Sequence, residues 1–159
     1  RYLHCNYNSN YKYNQNSEIM REIRYRGIGI AERKWVFGSL WFDTRDGVTL
    51  IWSEELKYWV RVDPATVGQY TGLKDEHGKE IYEGDVIRSP LSEDKTRPHR
   101  IFYHTGNAAF MRALIDRKEL CYLRLDQDWI YKFGKEVIGN IHDNPELIEK
   151  QTAERHKTN

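Results

Sequence analysis

The chain is poor in most of the residues that announce a mechanism. It has two cysteines in 159 residues, Cys5 and Cys121. That is too few for a disulfide scaffold, and both are read as reduced thiols of a cytosolic protein. Cys121 stands between Leu120 and Tyr122, where apolar surroundings keep a thiol protonated and inert. No apolar run approaches the roughly 20 residues of a transmembrane helix, and the N-terminus lacks the apolar stretch of a signal peptide. A cytoplasmic protein with no membrane association is expected. Neither sign of charge prevails: 25 Lys and Arg stand against 24 Asp and Glu, a net charge of +1. Non-specific nucleic-acid binding draws on many phosphate contacts, so the balance argues against it as a property of the whole chain.

The sequence signatures of catalysis are missing too. There is no G-x-S-x-G, no P-loop and no dinucleotide fingerprint. Gly27-Ile28-Gly29 stops short of the last, because Glu32 stands where its third small residue would be. His77, His99, His104 and His142 follow no metal-ligand spacing. Asp75, Glu76, His77, Glu80, Glu83 and Asp85 are dense in ligand atoms. However, Leu73 and Lys74 break the alternation of a calcium loop, and Lys79 lies inside the cluster. They are read as solvated turn residues. No catalytic residue, metal or cofactor is expected, and the chain is not read as an enzyme.

What is plentiful is aromatic side chain, 13% of residues with five Trp and eleven Tyr, a composition that favours strands. Residues 1–19 alternate Asn with Tyr and lack the aliphatic residues that bury a face. They are read as an extension outside the fold, with Met20 the expected start. Alternation predicts a strand at residues 21–26, and further strands are expected at residues 35–42, 48–52 and 58–62, with the Asp46-Gly47 pair a hairpin signal and Gly38 a bulge or point of close approach. Residues 66–88 read as a glycine-punctuated link with a strand starting at Asp85. Beyond it, short strands are expected near residues 85–88, 100–104, 108–115, 120–125 and 137–141, with residues 129–133 a strand or wide loop. Five short strands suit a small closed barrel. Asn144-Pro145-Glu146 reads as a helix start, and the polar tail from residue 150 is expected to fray.

Three stretches together resemble the YopX-like proteins of phages and prophages: Met20 to Gly27 with Trp35 to Leu40; Val62 to Asp75 with Gly78 to Asp85; and Glu136 to Ile141 with Asp143 to Leu147. The resemblance covers about residues 20–149. It implies a mainly β protein of antiparallel strands. Residues 20–83 would form a β-rich segment, and residues 84–149 an SH3-type barrel ending in a short helix. It implies no established activity, so no functional residue carries over.

Two binding readings remain. The first is an accessory module that binds a protein partner or itself through barrel loops or an edge strand. The second is nucleic-acid binding by the basic loop 88–100, with Arg88, Lys95, Arg97 and Arg100 as the candidate contacts. Glu93 and Asp94 interrupt that group. Trp35, Trp41, Trp52 and Trp59 offer stacking faces, but tryptophans in strands are expected in the core.

Overall fold

The computed structural model describes residues 22–89, 97–115 and 122–148. Two antiparallel sheets carry the fold. The first is made of β1 (Tyr25–Ile28), β2 (Trp35–Asp43), β3 (Val48–Ser53), β4 (Tyr58–Arg61), β5 (Gly68–Lys74) and β6 (Glu80–Tyr82), in the order β4-β3-β2-β1-β5-β6. The second is made of β7 (Asp85–Arg88), β8 (His99–His104), β9 (Ala109–Leu114), β10 (Tyr122–Arg124) and β11 (Glu136–Asn140), in the order β10-β9-β8-β7-β11. A short helix, α1 (Gln127–Lys132), precedes β11. No helix among the described residues is long and apolar enough to cross a membrane.

The first sheet rolls onto itself. The end of β1 meets the end of β4 through a bridge between Gly29 and Val62. Asp63 N donates to Ile28 O at 2.9 Å and Ile30 N to Arg61 O at 3.0 Å. Alternation then sends Val36, Ile51 and Val62 inward, with Tyr25, Leu40, Val60 and Val67 packed around them. Gly38 is needed at the crossing of β2 and β3. Its φ is +151°, and a Cβ there would lie 1.8 Å from the Trp52 carbonyl oxygen.

The stretch 66–88 is more than a link. Its first part supplies β5 and β6, which pair with each other and join β5 to β1. Gly68 and Gly72 hid the strand pattern. At Gly72, φ is +84° within the register shift between Tyr70 and Lys74.

The second sheet packs Ile87 and Ile101 against Ile81, Leu125 and Ile130. Residues 129–133, expected as a strand or wide loop, fall in and just after α1. Asp126 caps it, accepting from Trp129 N at 2.8 Å, and its last turn carries Lys132. The run Trp129-Ile130-Tyr131 looked strand-like, yet only Ile130 of the helix is fully buried. Among the described residues the five strands follow the order β10-β9-β8-β7-β11, and closure of the expected barrel through a β10–β11 pairing is not seen there. At the expected helix start, the Asn144 carbonyl accepts from Leu147 N at 3.0 Å. Residues 146–148 are helical, but Asn144 Oδ1 accepts from Asn140 N at 3.4 Å rather than from its own first turn. The readings on residues 1–19, Cys5, Lys95, Cys121 and the tail from 150 lie outside the described residues.

Candidate functional site

The motif that runs from Val62 to Asp85, with Arg26 of β1, serves the seam between the sheets. Asp85 and Asp75 are 1% and 2% exposed, so the reading of this cluster as solvated turn residues is corrected for both. Asp85 Oδ1 accepts from Arg26 at 2.6 Å and Oδ2 from Tyr82 N at 2.8 Å. The Arg26 guanidinium also donates to Glu83 O at 3.1 Å. It lies 4.6 Å over the Trp35 ring and 5.0 Å over that of Tyr82. Burial pushes the Asp85 carboxyl up, while Arg26 and the Tyr82 N–H pull it back. Burial also raises the Tyr82 phenol far above its ordinary range, helped by its hydrogen bond to Glu80, and Arg24 pairs with Glu80. Asp75 ties the tip of the β5–β6 hairpin to β11, accepting from His77 N and Lys79 N at 2.9 Å and from Val137 N at 3.1 Å. Glu83 accepts from Gln69 N and Tyr103 N. Each of these carboxylates is engaged by groups of the fold.

The tryptophans depart from expectation. Among the five, none is fully buried. Trp41 and Trp59 are 45% and 46% exposed. The inside of the roll is filled by aliphatic residues, and the side chains of opposite parity point outward. Near β1 that outer face is covered by Tyr82, which meets Phe37 edge-on at 5.6 Å. Trp35 is held there too, donating from Nε1 to Asp143 at 2.7 Å. Farther out the face is open. Trp52 opposes Trp59 across β3 and β4, their rings 5.6 Å apart, and Trp41 stands 6.5 Å from Trp59. Between the β1–β2 and β3–β4 turns lies a cavity of about 540 Å³, floored by Val36 and Val60 and rimmed by Glu32, Lys34, Leu56 and Tyr58.

Of the four candidate nucleic-acid contacts, three lie among the described residues. Arg88 ends β7, opposite Glu136, and reaches its carboxylate at 3.7 Å. Arg97 is half-buried and engaged. Lys95 lies outside the described residues. Arg100 stands apart on β8, exposed, with its guanidinium 5.5 Å over Phe102. Sequence reasoning missed Arg124 and Tyr122, which the register brings beside Met111 and Ala113. Part of the signal was there: the strands β8, β9 and β10 themselves hold no Asp or Glu, although Asp116 and Glu119 stand between β9 and β10.

Glu76, His77 and Glu136 bring donor atoms within 4.8 Å of one another. They are the residues that could ligate a cation. One Glu136 oxygen faces His77 and the other faces Arg88. His142 lies beside Trp35, rings 6.0 Å apart. Burial lowers its pKa, and the nearby Arg26 charge lowers it further.

A comparison with curated proteins finds no match. Among solved structures, the crystal structure of protein EF1440 from Enterococcus faecalis is similar. The two are 26% identical, the match covers 80% of this chain and 98% of that one, and the TM-score is 0.53. The family model described as YopX protein matches residues 6–149, a span that reaches ahead of Met20 into the Asn- and Tyr-rich tract. The chain belongs to the YopX protein family.

Proposed function

We infer that the protein is a non-enzymatic binding module that takes a protein partner on the open tryptophan face of its first sheet. The observation that carries this is the trio Trp41, Trp52 and Trp59, supported from beneath yet left half-open on β2 to β4. Tryptophan is enriched among the residues that dominate interface energies, because one rigid ring system desolvates a large area. The polar groups of the motif from Val62 to Asp85 are engaged at the seam, which leaves surface recognition as the chemistry on offer. An accessory role in a phage or prophage setting, in the cytoplasm of the host, belongs to this proposal. So does the SH3-type reading of residues 84–149. Four strands in sequence with the fifth returning beside the first support it.

The test is a cross-linking capture from cells, nuclease-treated, comparing the unaltered chain with the Trp41→Ala, Trp59→Ala double variant. A defined protein band that disappears with the variant supports the reading. Identical captures would sink it. Sedimentation of the purified chain separates self-association, which would show as a dimer that the double variant abolishes.

A further inference from the structure

We propose that the outward face of the second sheet is a binding site for single-stranded nucleic acid. The face is set by register. Arg100 on β8 stands in one row with Ala113 on β9 and Tyr122 on β10. Phe102 stands in the next with Met111 and Arg124, and His104 beside Ala109 in the third. Cation and ring thus exchange sides between the first two rows. The rings touch: Phe102 and Tyr122 lie 5.1 Å apart, His104 and Tyr122 4.9 Å, and Arg100 covers the Phe102 ring at 5.5 Å. Arg100 and Arg124 are exposed, and neither is in an ion pair among the described residues.

Charge selects the occupant. The chain as a whole is nearly neutral, yet β8, β9 and β10 hold no Asp or Glu, and this face carries Arg100 and Arg124, while Arg112 turns to the other face over Trp129. An anion is therefore the complement of this face. Two strand spacings separate β8 from β10, about 10 Å, so Arg100 and Arg124 flank a platform of one or two bases. Half-exposed rings between two guanidiniums are what a strand with unstacked bases uses: bases lie on the rings and phosphates meet the cations. A duplex keeps its bases stacked and would meet only the arginines. An acidic peptide would likewise leave the rings idle.

The experiment is fluorescence anisotropy on the purified full chain with a labelled thymidine dodecamer, between about 50 and about 200 mM salt. With two arginine contacts, the log–log salt slope is expected near about −1.4. Replacing both, Arg100→Ala with Arg124→Ala, should remove that slope and weaken binding about tenfold or more. Tyr122→Leu and Phe102→Leu keep the bulk of the side chain. Each should weaken binding about fivefold or more and leave the slope unchanged. An abasic strand of equal length tests stacking on the unaltered protein and should bind more weakly by a similar factor. The Trp41→Ala, Trp59→Ala variant should bind the oligonucleotide as the unaltered chain does, which separates this site from the tryptophan face. Equal binding of the abasic strand, equal binding of a duplex, or displacement by a polyglutamate peptide at matched charge would each overturn the proposal.

Discussion

The two sheets share a construction and differ in what they leave open. Each buries aliphatic side chains on one face. The first sheet then presents tryptophans with little charge, and the second presents rings interleaved with arginines. The difference teaches that aromatic residues in strands do not by themselves mark a core. The inner face of the roll is full with Val36, Ile51 and Val62, so rings of opposite parity have to stand outside, and the charges beside them decide what they can meet. Between the sheets runs the seam of Arg26 and Asp85, and the comparison can be broken first there.

Asp85→Ala leaves the Arg26 guanidinium buried without its carboxylate. It should destabilise by about 3 to 5 kcal/mol. Both sheets lean on this pair, so chemical denaturation should show one transition shifted as a whole, followed by hydrogen exchange of the β2 and β3 amides for the first sheet and of the β8 and β9 amides for the second. Two separate transitions would mean that the sheets stand independently. Gly38→Ala attacks the first sheet alone, because its Cβ would collide with the Trp52 carbonyl. The expected cost is about 3 kcal/mol, visible as an equal drop in denaturation midpoint for every probe. A neutral result would mean that β2 and β3 do not approach as described.

Much of the first sheet was legible in the sequence, and the reason is physical. Residues 35–42 and 48–52 are aromatic and β-branched runs on either side of the Asp46-Gly47 turn signal, and β2 and β3 follow them. What escaped was where tertiary context overrides the local signal. Glycines at 68 and 72 masked β5, and the apolar run around Ile130 concealed a helix whose cap, Asp126, was the better clue. The binding face of the second sheet was legible only in part. Arg100 stands out in any sequence reading, but Arg124 and Tyr122 join it through strand register, which no spacing along the chain encodes.

Smaller effects sharpen the contrast between surfaces. Trp59→Thr removes a ring that is nearly half in solvent and keeps a strand-forming residue. It should cost about 1 kcal/mol, much less than any core change, while abolishing partner capture. A loss of several kcal/mol on thermal unfolding would mean that the ring is a core member rather than a contact. Gly72→Val should also cost about 1 kcal/mol. Its φ of +84° is unfavourable for a branched side chain, although nothing lies within 4 Å of the added Cβ. An unchanged melting temperature would show that the backbone relaxes there freely.

The smallest effect is one of pH, and its sign follows from the seam. Burial and the Arg26 charge hold the His142 pKa below its ordinary 6.5 in the folded chain. As pH falls through 6.5, the unfolded chain takes up this proton first, so protonation favours unfolding. The contribution is fully present above that pH and is lost on acidification toward the lowered folded value. His142→Gln cannot titrate. The difference in melting temperature between the two proteins should therefore shift in favour of the variant between pH about 7.5 and about 5.5. A difference that stays flat, or moves the other way, would mean that the ring meets solvent or the Asp143 charge more than it meets Arg26. The seam would then be looser than the Arg26–Asp85 geometry describes.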